Sequence, residues 1–300
     1  MQPKNLLSVT LSVVLVPAAA AATSVSQIFE AQSASADSGS SAVLVGAGDI
    51  SLCGSTGDDA TAALLGNING TVFTAGDNVQ IIGASLEYTY CYDPSWGQYK
   101  SRTRPSPGNH DYYLGGSAYY NYFGSAAGPA GKGYYSYDLG DWHVVALNSN
   151  CGWVSCSAGS AQEQWLRADL AANTKQCTVA YWHHPYFSSN GATAAVKPLF
   201  QALYDYGTEI VMSGHIHNYE RFAPQDPSGN LDTAAGIRQF VVGTGGYGHD
   251  SFGTIAANSE ARNGDTFGVL ELTLTSGAYN WKFVPVAGKT YSDSGSGTCH

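Results

Sequence analysis

Two apolar runs that each end in Gly-Asp, one helix's length apart, constrain this chain more than any other feature. Val43-Leu44-Val45-Gly46-Ala47-Gly48-Asp49 is a short strand closing on a carboxylate, and Thr71-Val72-Phe73-Thr74-Ala75-Gly76-Asp77-Asn78 repeats the pattern. The stretch between them, Asp59 to Ile68, has helical character, with Asp58 or Asp59 as its cap. Strand, helix and strand in this order build an α/β sheet, whose sites lie beyond the strand ends. One Gly-Asp alone is a turn. Two at successive strand ends aim two carboxylates at one edge.

The alternation continues downstream. Tyr134 to Tyr137 and Trp142 to Leu147 read as strands about a Leu139-Gly140-Asp141 turn. Ser160, with Glu163 three residues later, forms a capping box for a helix bearing Trp165, Leu166 and Leu170. Cys177 to Trp182 is another strand, and it runs into His183-His184-Pro185. Val196, Leu199, Phe200, Leu203 and Tyr204 share one helical face. Glu209-Ile210-Val211-Met212 is a buried strand that delivers Ser213-Gly214-His215-Ile216-His217. Strands are also expected over Arg238 to Val242, Phe267 to Leu274 and Tyr279 to Val284, while Glu87 to Arg104 shows no clear period. Gly243 to Gly248 is glycine-rich, but no Lys-Ser/Thr follows and no helix opens there. It reads as a structural turn, not a phosphate cradle.

Composition narrows the function. Acids outnumber bases, 23 to 13, for a formal charge of −10 with no basic stripe, which argues against a nucleic-acid partner. Lys4, the apolar run Leu6 to Val16 and the small residues Ala18 to Ala22 form an export signal over 1–22. Its apolar core is shorter than the roughly 20 residues that span a bilayer, so no membrane contact is expected once the signal is removed. The Ser- and Ala-rich stretch 23–41 reads as a flexible linker, leaving 42–300 as the folded domain. Six cysteines in an exported chain fit three disulfides. Cys151 with Cys156 and Cys53 with Cys91 are the expected pairs, although spacing alone leaves the connectivity open.

The polar residues at strand and loop ends form a pattern. Asp49, Asp77, Asn109-His110-Asp111, His183 and His215-Ile216-His217 stand at five such ends. Of eight histidines, His110, His183, His184, His215 and His217 all fall there. Carboxylate, amide oxygen and imidazole are the ligand set for two metal ions that share a bridging carboxylate.

The order Asp, Gly-Asp, Gly-Asn-His-Asp, His, Gly-His-x-His resembles the calcineurin-like metallophosphoesterases. It is most similar to their purple acid phosphatase branch, including exported bacterial members, through Tyr181-Trp182-His183-His184-Pro185 and Asn218-Tyr219-Glu220-Arg221. The resemblance implies a four-layer α/β sandwich of two mixed sheets flanked by helices. It implies Asp77 as the bridge, Asp49 and His217 on the first ion, and Asn109, His183 and His215 on the second. It also implies His110 as the general acid beside the leaving group, with Asp111 holding its ring.

Three positions depart from that branch. Gln80 stands three residues after Asp77, where the branch carries a tyrosine whose phenolate binds ferric iron. Ser51 occupies the place of a substitute histidine, and Ser188, Ser189 and Asn190 stand where substrate histidines occur. A colourless centre with two divalent ions (zinc, manganese or iron), or one whose first site binds weakly, is therefore expected. The function implied is hydrolysis of small phosphate monoesters by a metal-bound hydroxide. A phosphodiesterase or nuclease on the same scaffold is the alternative, and a metal-binding homologue with little or no activity is the other. Nothing in the sequence speaks to oligomeric state.

Overall fold

The computed structural model describes residues 41–300. The expected signal over 1–22 and nearly all of the linker over 23–41 lie outside the described residues.

Thirteen strands form two sheets. In chain order they are β1 (Ala42–Ala47), β2 (Thr71–Ala75), β3 (Thr103–Ser106), β4 (Tyr135–Leu139), β5 (Trp142–Ala146), β6 (Cys177–Tyr181) and β7 (Ile210–Ser213). There follow β8 (Tyr219–Phe222), β9 (Arg238–Val242), β10 (Ser259–Asn263), β11 (Gly268–Thr275), β12 (Ala278–Pro285) and β13 (Ser294–Thr298). The first sheet runs β13-β12-β11-β1-β2-β3 and the second β10-β8-β9-β7-β6-β5-β4. Both are mixed: β1, β2 and β3 are parallel to one another, as are β5, β6, β7 and β9; antiparallel β11 adjoins β1, and antiparallel β4 and β8 flank the second set. Helices cover the sheets, so the expected sandwich is the fold.

Side-chain alternation along the strands builds the layers. Val144, Ala146, Val179, Tyr181, Ile210 and Met212 join a core that also contains Leu44, Phe73, Leu270 and Phe283 of the first sheet. Their neighbours Val145, Ala180 and Val211 point the other way, onto Leu166, Leu170, Leu199, Phe200 and Leu203. Those residues come from the helices Ala161–Ala172 and Lys197–Asp205. Strands buried on both faces cannot alternate apolar with polar, which is why they read as continuous apolar runs.

Most local expectations hold within a residue or two. Ser160 caps its helix, its hydroxyl accepting from Glu163 N. The helix Gly57–Asn67 differs: Thr56 is its N-cap and makes no side-chain bond. Asp58 is buried and accepts from Ser95 Oγ at 2.6 Å instead of capping. The aperiodic segment after Glu87 is a π-helical turn, Tyr88–Tyr92, and a 3₁₀ run, Trp96–Arg102, neither of which has a 3.6-residue period.

The disulfides are Cys53–Cys91, Cys151–Cys156 and Cys177–Cys299. Such bonds form and persist in oxidising compartments. Among the described residues no helix is long and apolar enough to cross a membrane.

Candidate metal centre

All the sequence-predicted ligands follow the carboxyl ends of parallel strands. Asp49 follows β1, Asp77 follows β2, Asn109 follows β3, His183 follows β6, and His215 and His217 follow β7. In the first sheet the ladder continues past the strands, with Asp49 N donating to Gly76 O at 3.0 Å and Ile50 N to Asp77 O at 2.9 Å. Asp49, Asp77 and His215 all take left-handed backbone, with φ of 60°, 48° and 69°. This conformation costs a non-glycine residue roughly 1–2 kcal/mol, and such strain concentrates at sites that use it.

The ligand atoms converge. His183 Nε2 lies 3.0 Å from Asn109 Oδ1, 3.2 Å from Asp77 Oδ2 and 3.2 Å from His215 Nδ1. Its other nitrogen, Nδ1, donates to Ala75 O at 2.9 Å, which directs Nε2 toward the cluster. Two ligands each about 2.1 Å from one ion, 90–109° apart, sit roughly 3.0–3.4 Å from each other. The three distances from His183 Nε2 fall in that range. The first group is Asp49 and His217, with Asp49 Oδ1 3.4 Å from His217 Nε2. That separation is long for a hydrogen bond, and Asp49 Oδ1 is buried without a partner. An orphaned carboxylate oxygen in a protein interior calls for a cation. Ligand atoms of Asp49, Asp77 and His183 all lie within 4.8 Å of one another, so the two groups adjoin.

The electrostatics favour positive charge. Burial disfavours a charged His183 ring, yet the Asp77 and Asp49 carboxylates and the Ala75 carbonyl outweigh it and lift its pKa to about 9. His215 goes the other way, to about 4, because it is buried and faces His183. Burial likewise opposes charge on Asp49, but its histidine neighbours keep its carboxyl below the usual range. His217 is raised: burial opposes it, while Asp49 and Asp250 more than compensate.

His110 stands at the edge, its side chain 22% exposed, with Nε2 3.9 Å from Asp77 Oδ2. Its backbone N donates to Asp77 Oδ1 at 2.8 Å, and its Nδ1 lies 3.3 Å from Ile81 O. Asp111 does not hold the His110 ring, contrary to expectation. Both belong to the helical turn Asn109–Tyr112, where adjacent side chains diverge. Asp111 accepts instead from Tyr88 OH at 2.6 Å, Gly108 N at 2.8 Å, and Asn78 Nδ2 and N at 3.0 and 3.2 Å. It ties the loop after β2 to the turn after β3. Burial and the nearby Asp77 charge push its pKa to about 6.

Of the positions that depart from that pattern, Ser51, Gln80 and Ser189 are buried, and Ser188 and Asn190 are half-buried. Gln80 Nε2 turns back to Asp77 O at 3.3 Å, and its Oε1 has no partner. Ser189 bonds to the Glu220 carboxylate and accepts from Ala256 N at 2.9 Å, so its hydroxyl is committed inside the protein.

Several contributors carried no sequence signal. Asp250 Oδ2 accepts from His217 N at 2.9 Å, and Ser149 Oγ lies 2.8 Å from His184 Nδ1. The glycine-rich turn lies against the first group, with Tyr247 N donating to Asp49 O at 3.0 Å and its ring 4.9 Å from that of His217.

Residues 43–219 match the calcineurin-like phosphoesterase family. Purple acid phosphatase 15 of Arabidopsis thaliana is 36% identical over 96 residues, covering 29% of this chain and 18% of that protein. Purple acid phosphatase 22 of the same plant is 26% identical over 208 residues, covering 59% and 46%. The matches thus span less than half the length of these curated relatives. The solved structure of purple acid phosphatase PPD1 from yellow lupin superposes with a TM-score of 0.71 over 86% of this chain and 53% of that one, at 20% identity, a likeness of fold. The chain therefore belongs to the calcineurin-like phosphoesterases, within their purple acid phosphatase-like branch.

Proposed function

We propose that the chain is an exported phosphatase that hydrolyses small phosphate monoesters at a centre of two divalent cations. Asp49 and His217 would hold the first, Asn109, His183 and His215 would hold the second, and Asp77 would be shared between them. The reading rests on the meeting of Asn109 Oδ1, Asp77 Oδ2 and His215 Nδ1 within 3.2 Å of His183 Nε2. A cation held by these donors would take the place of the proton that the Asp77 and Asp49 carboxylates otherwise draw onto His183.

When bound, the two ions supply charge for the phosphate oxygens and lower the pKa of a water to near 7. The chain's own residues do the rest. Asn109 and His183 present neutral donors beside the Asp77 carboxylate, which limits the negative charge an incoming phosphate meets. His110, with Nδ1 toward Ile81 O, turns Nε2 to the centre and there delivers a proton to the departing alcohol. Asp111 acts at a distance by fixing the turn that carries Asn109 and His110. The three disulfides support export.

Metal analysis of natively purified protein, paired with hydrolysis of a mono- and a diester of one chromophore, tests the reading. Two divalent ions and faster monoester turnover are expected. Faster diester turnover points to the diesterase alternative, and metal without turnover to a binding homologue.

A further inference from the structure

Beside the ligand cluster lies a cavity of about 320 Å³ whose lining includes Asn109, Tyr113, Ser149, Trp153, His184 and Thr193. We propose that this cavity seats the alcohol part of the ester and selects a planar aromatic group. The proposal rests on the phosphatase reading above.

Position is the first reason. Asn109 belongs both to the cavity and to the cluster, and the His184 ring lies 4.8 Å from that of His183 and 4.4 Å from that of His215. A group esterified to a phosphate held at the cluster has this cavity as its neighbour.

Chemistry is the second. Trp153 and Tyr113 are 64% and 55% exposed, large aromatic surfaces left in water beside a polar centre. Apolar surface exposed at the rim of a site marks recognition, and aromatic faces favour another ring in offset or edge contact. The space suffices, since a cavity of about 150 Å³ already takes a benzene.

Rigidity is the third. Trp153 stands in the loop closed by Cys151–Cys156, where Trp153 N and Val154 N both donate to Asn150 O, at 2.8 and 2.9 Å. The Tyr113 ring packs 4.7 Å from His110. Ser149 Oγ, 2.8 Å from His184 Nδ1 and 2.9 Å from its backbone N, pins His184. Walls held in advance lose little freedom when a ring enters.

Calorimetric titration of the metal-loaded full chain with phenylphosphonate and methylphosphonate, which are not hydrolysed, tests the assignment. Phenylphosphonate is expected to bind about tenfold more tightly. Trp153→Ala or Tyr113→Ala should cut that ratio to roughly threefold or less, while Trp153→Phe should keep it. A wild-type ratio near one, or a ratio unmoved by both alanine variants, overturns the subsite. The ratio of kcat/KM for phenyl over methyl phosphate should fall in the same variants. If both esters are hydrolysed but the phosphonates bind alike, the subsite fails and the phosphatase reading stands. If phenylphosphonate is preferred but neither ester turns over, the phosphatase reading fails.

Discussion

The backbone amide of His215 donates to Oδ2 of Asp49 at 2.8 Å, joining the end of β7 in one sheet to the end of β1 in the other. Gly214 makes the approach possible, because a Cβ there would lie 2.5 Å from Asp49 Oδ2 and 2.7 Å from Ala75 O. Gly214→Ala is expected to push the loop off the carboxylate, costing about 1–3 kcal/mol by overpacking and lowering bound metal. Thermal unfolding and metal analysis of the same sample check both effects.

The Tyr88 hydroxyl donates to Asp111 Oδ1 at 2.6 Å in a fully buried pair. Hydrogen bonds to charged groups contribute about 1.5–3 kcal/mol, so Tyr88→Phe should destabilise by that order in denaturant titration. The turn bearing His110 loses part of its anchor, and kcat should fall more than KM rises. An unchanged midpoint and unchanged kcat together would show that Asp111 does not anchor the turn.

A general acid matters in proportion to how poorly the alcohol leaves. His110→Ala is expected to slow an alkyl monoester by roughly 10²–10⁴-fold and a nitrophenyl ester much less. Equal losses on both substrates would mean that His110 does not protonate the leaving group.

With Gln80 in place of the expected tyrosine, the pure protein should have no visible charge-transfer band even when loaded with iron. His183→Ala should reduce bound metal toward one ion per chain. Chelation should lower the unfolding temperature, and graded re-addition of metal should restore it in a concentration-dependent way.

Glu209 is 2% exposed, with Oε2 accepting from Thr178 N at 2.6 Å and Oε1 unpartnered, 3.8 Å from His300 Nδ1. Burial raises its pKa to about 7 from an ordinary 4.5. A carboxyl whose folded pKa lies above its unfolded value stabilises most below the unfolded value. That contribution is lost as pH rises through the folded one, here by on the order of 3 kcal/mol between about pH 4.5 and 7. Glu209→Gln should flatten this decline and leave the variant more stable than wild type at pH 8. Melting curves from pH 4 to 8 decide the point.

Chain order alone was enough for the α/β class and the main buried strands, and it named side chains that the fold brings together. Val43 to Asp49 and Thr71 to Asp77 declare themselves because burial on both faces demands unbroken apolar runs, and a carboxylate after such a run has only the strand edge to occupy. Other strands were silent. β13 is Ser294-Gly295-Ser296-Gly297-Thr298, with no apolar residue to give a period. It exists because Gly295 and Gly297 pair with Trp281 and Tyr279 of β12 and leave room for their rings. The role of Asp111 was equally hidden, since its partners Tyr88 and Asn78 come from distant segments and the direction of its side chain depends on a single helical turn. The convergence of Asn109, Asp77 and His215 on His183 Nε2, and the placing of Trp153 beside them, required two sheets to meet at their carboxyl ends. Residue identity specifies what a side chain can bind, but distances between strands far apart in sequence are set by how the layers pack.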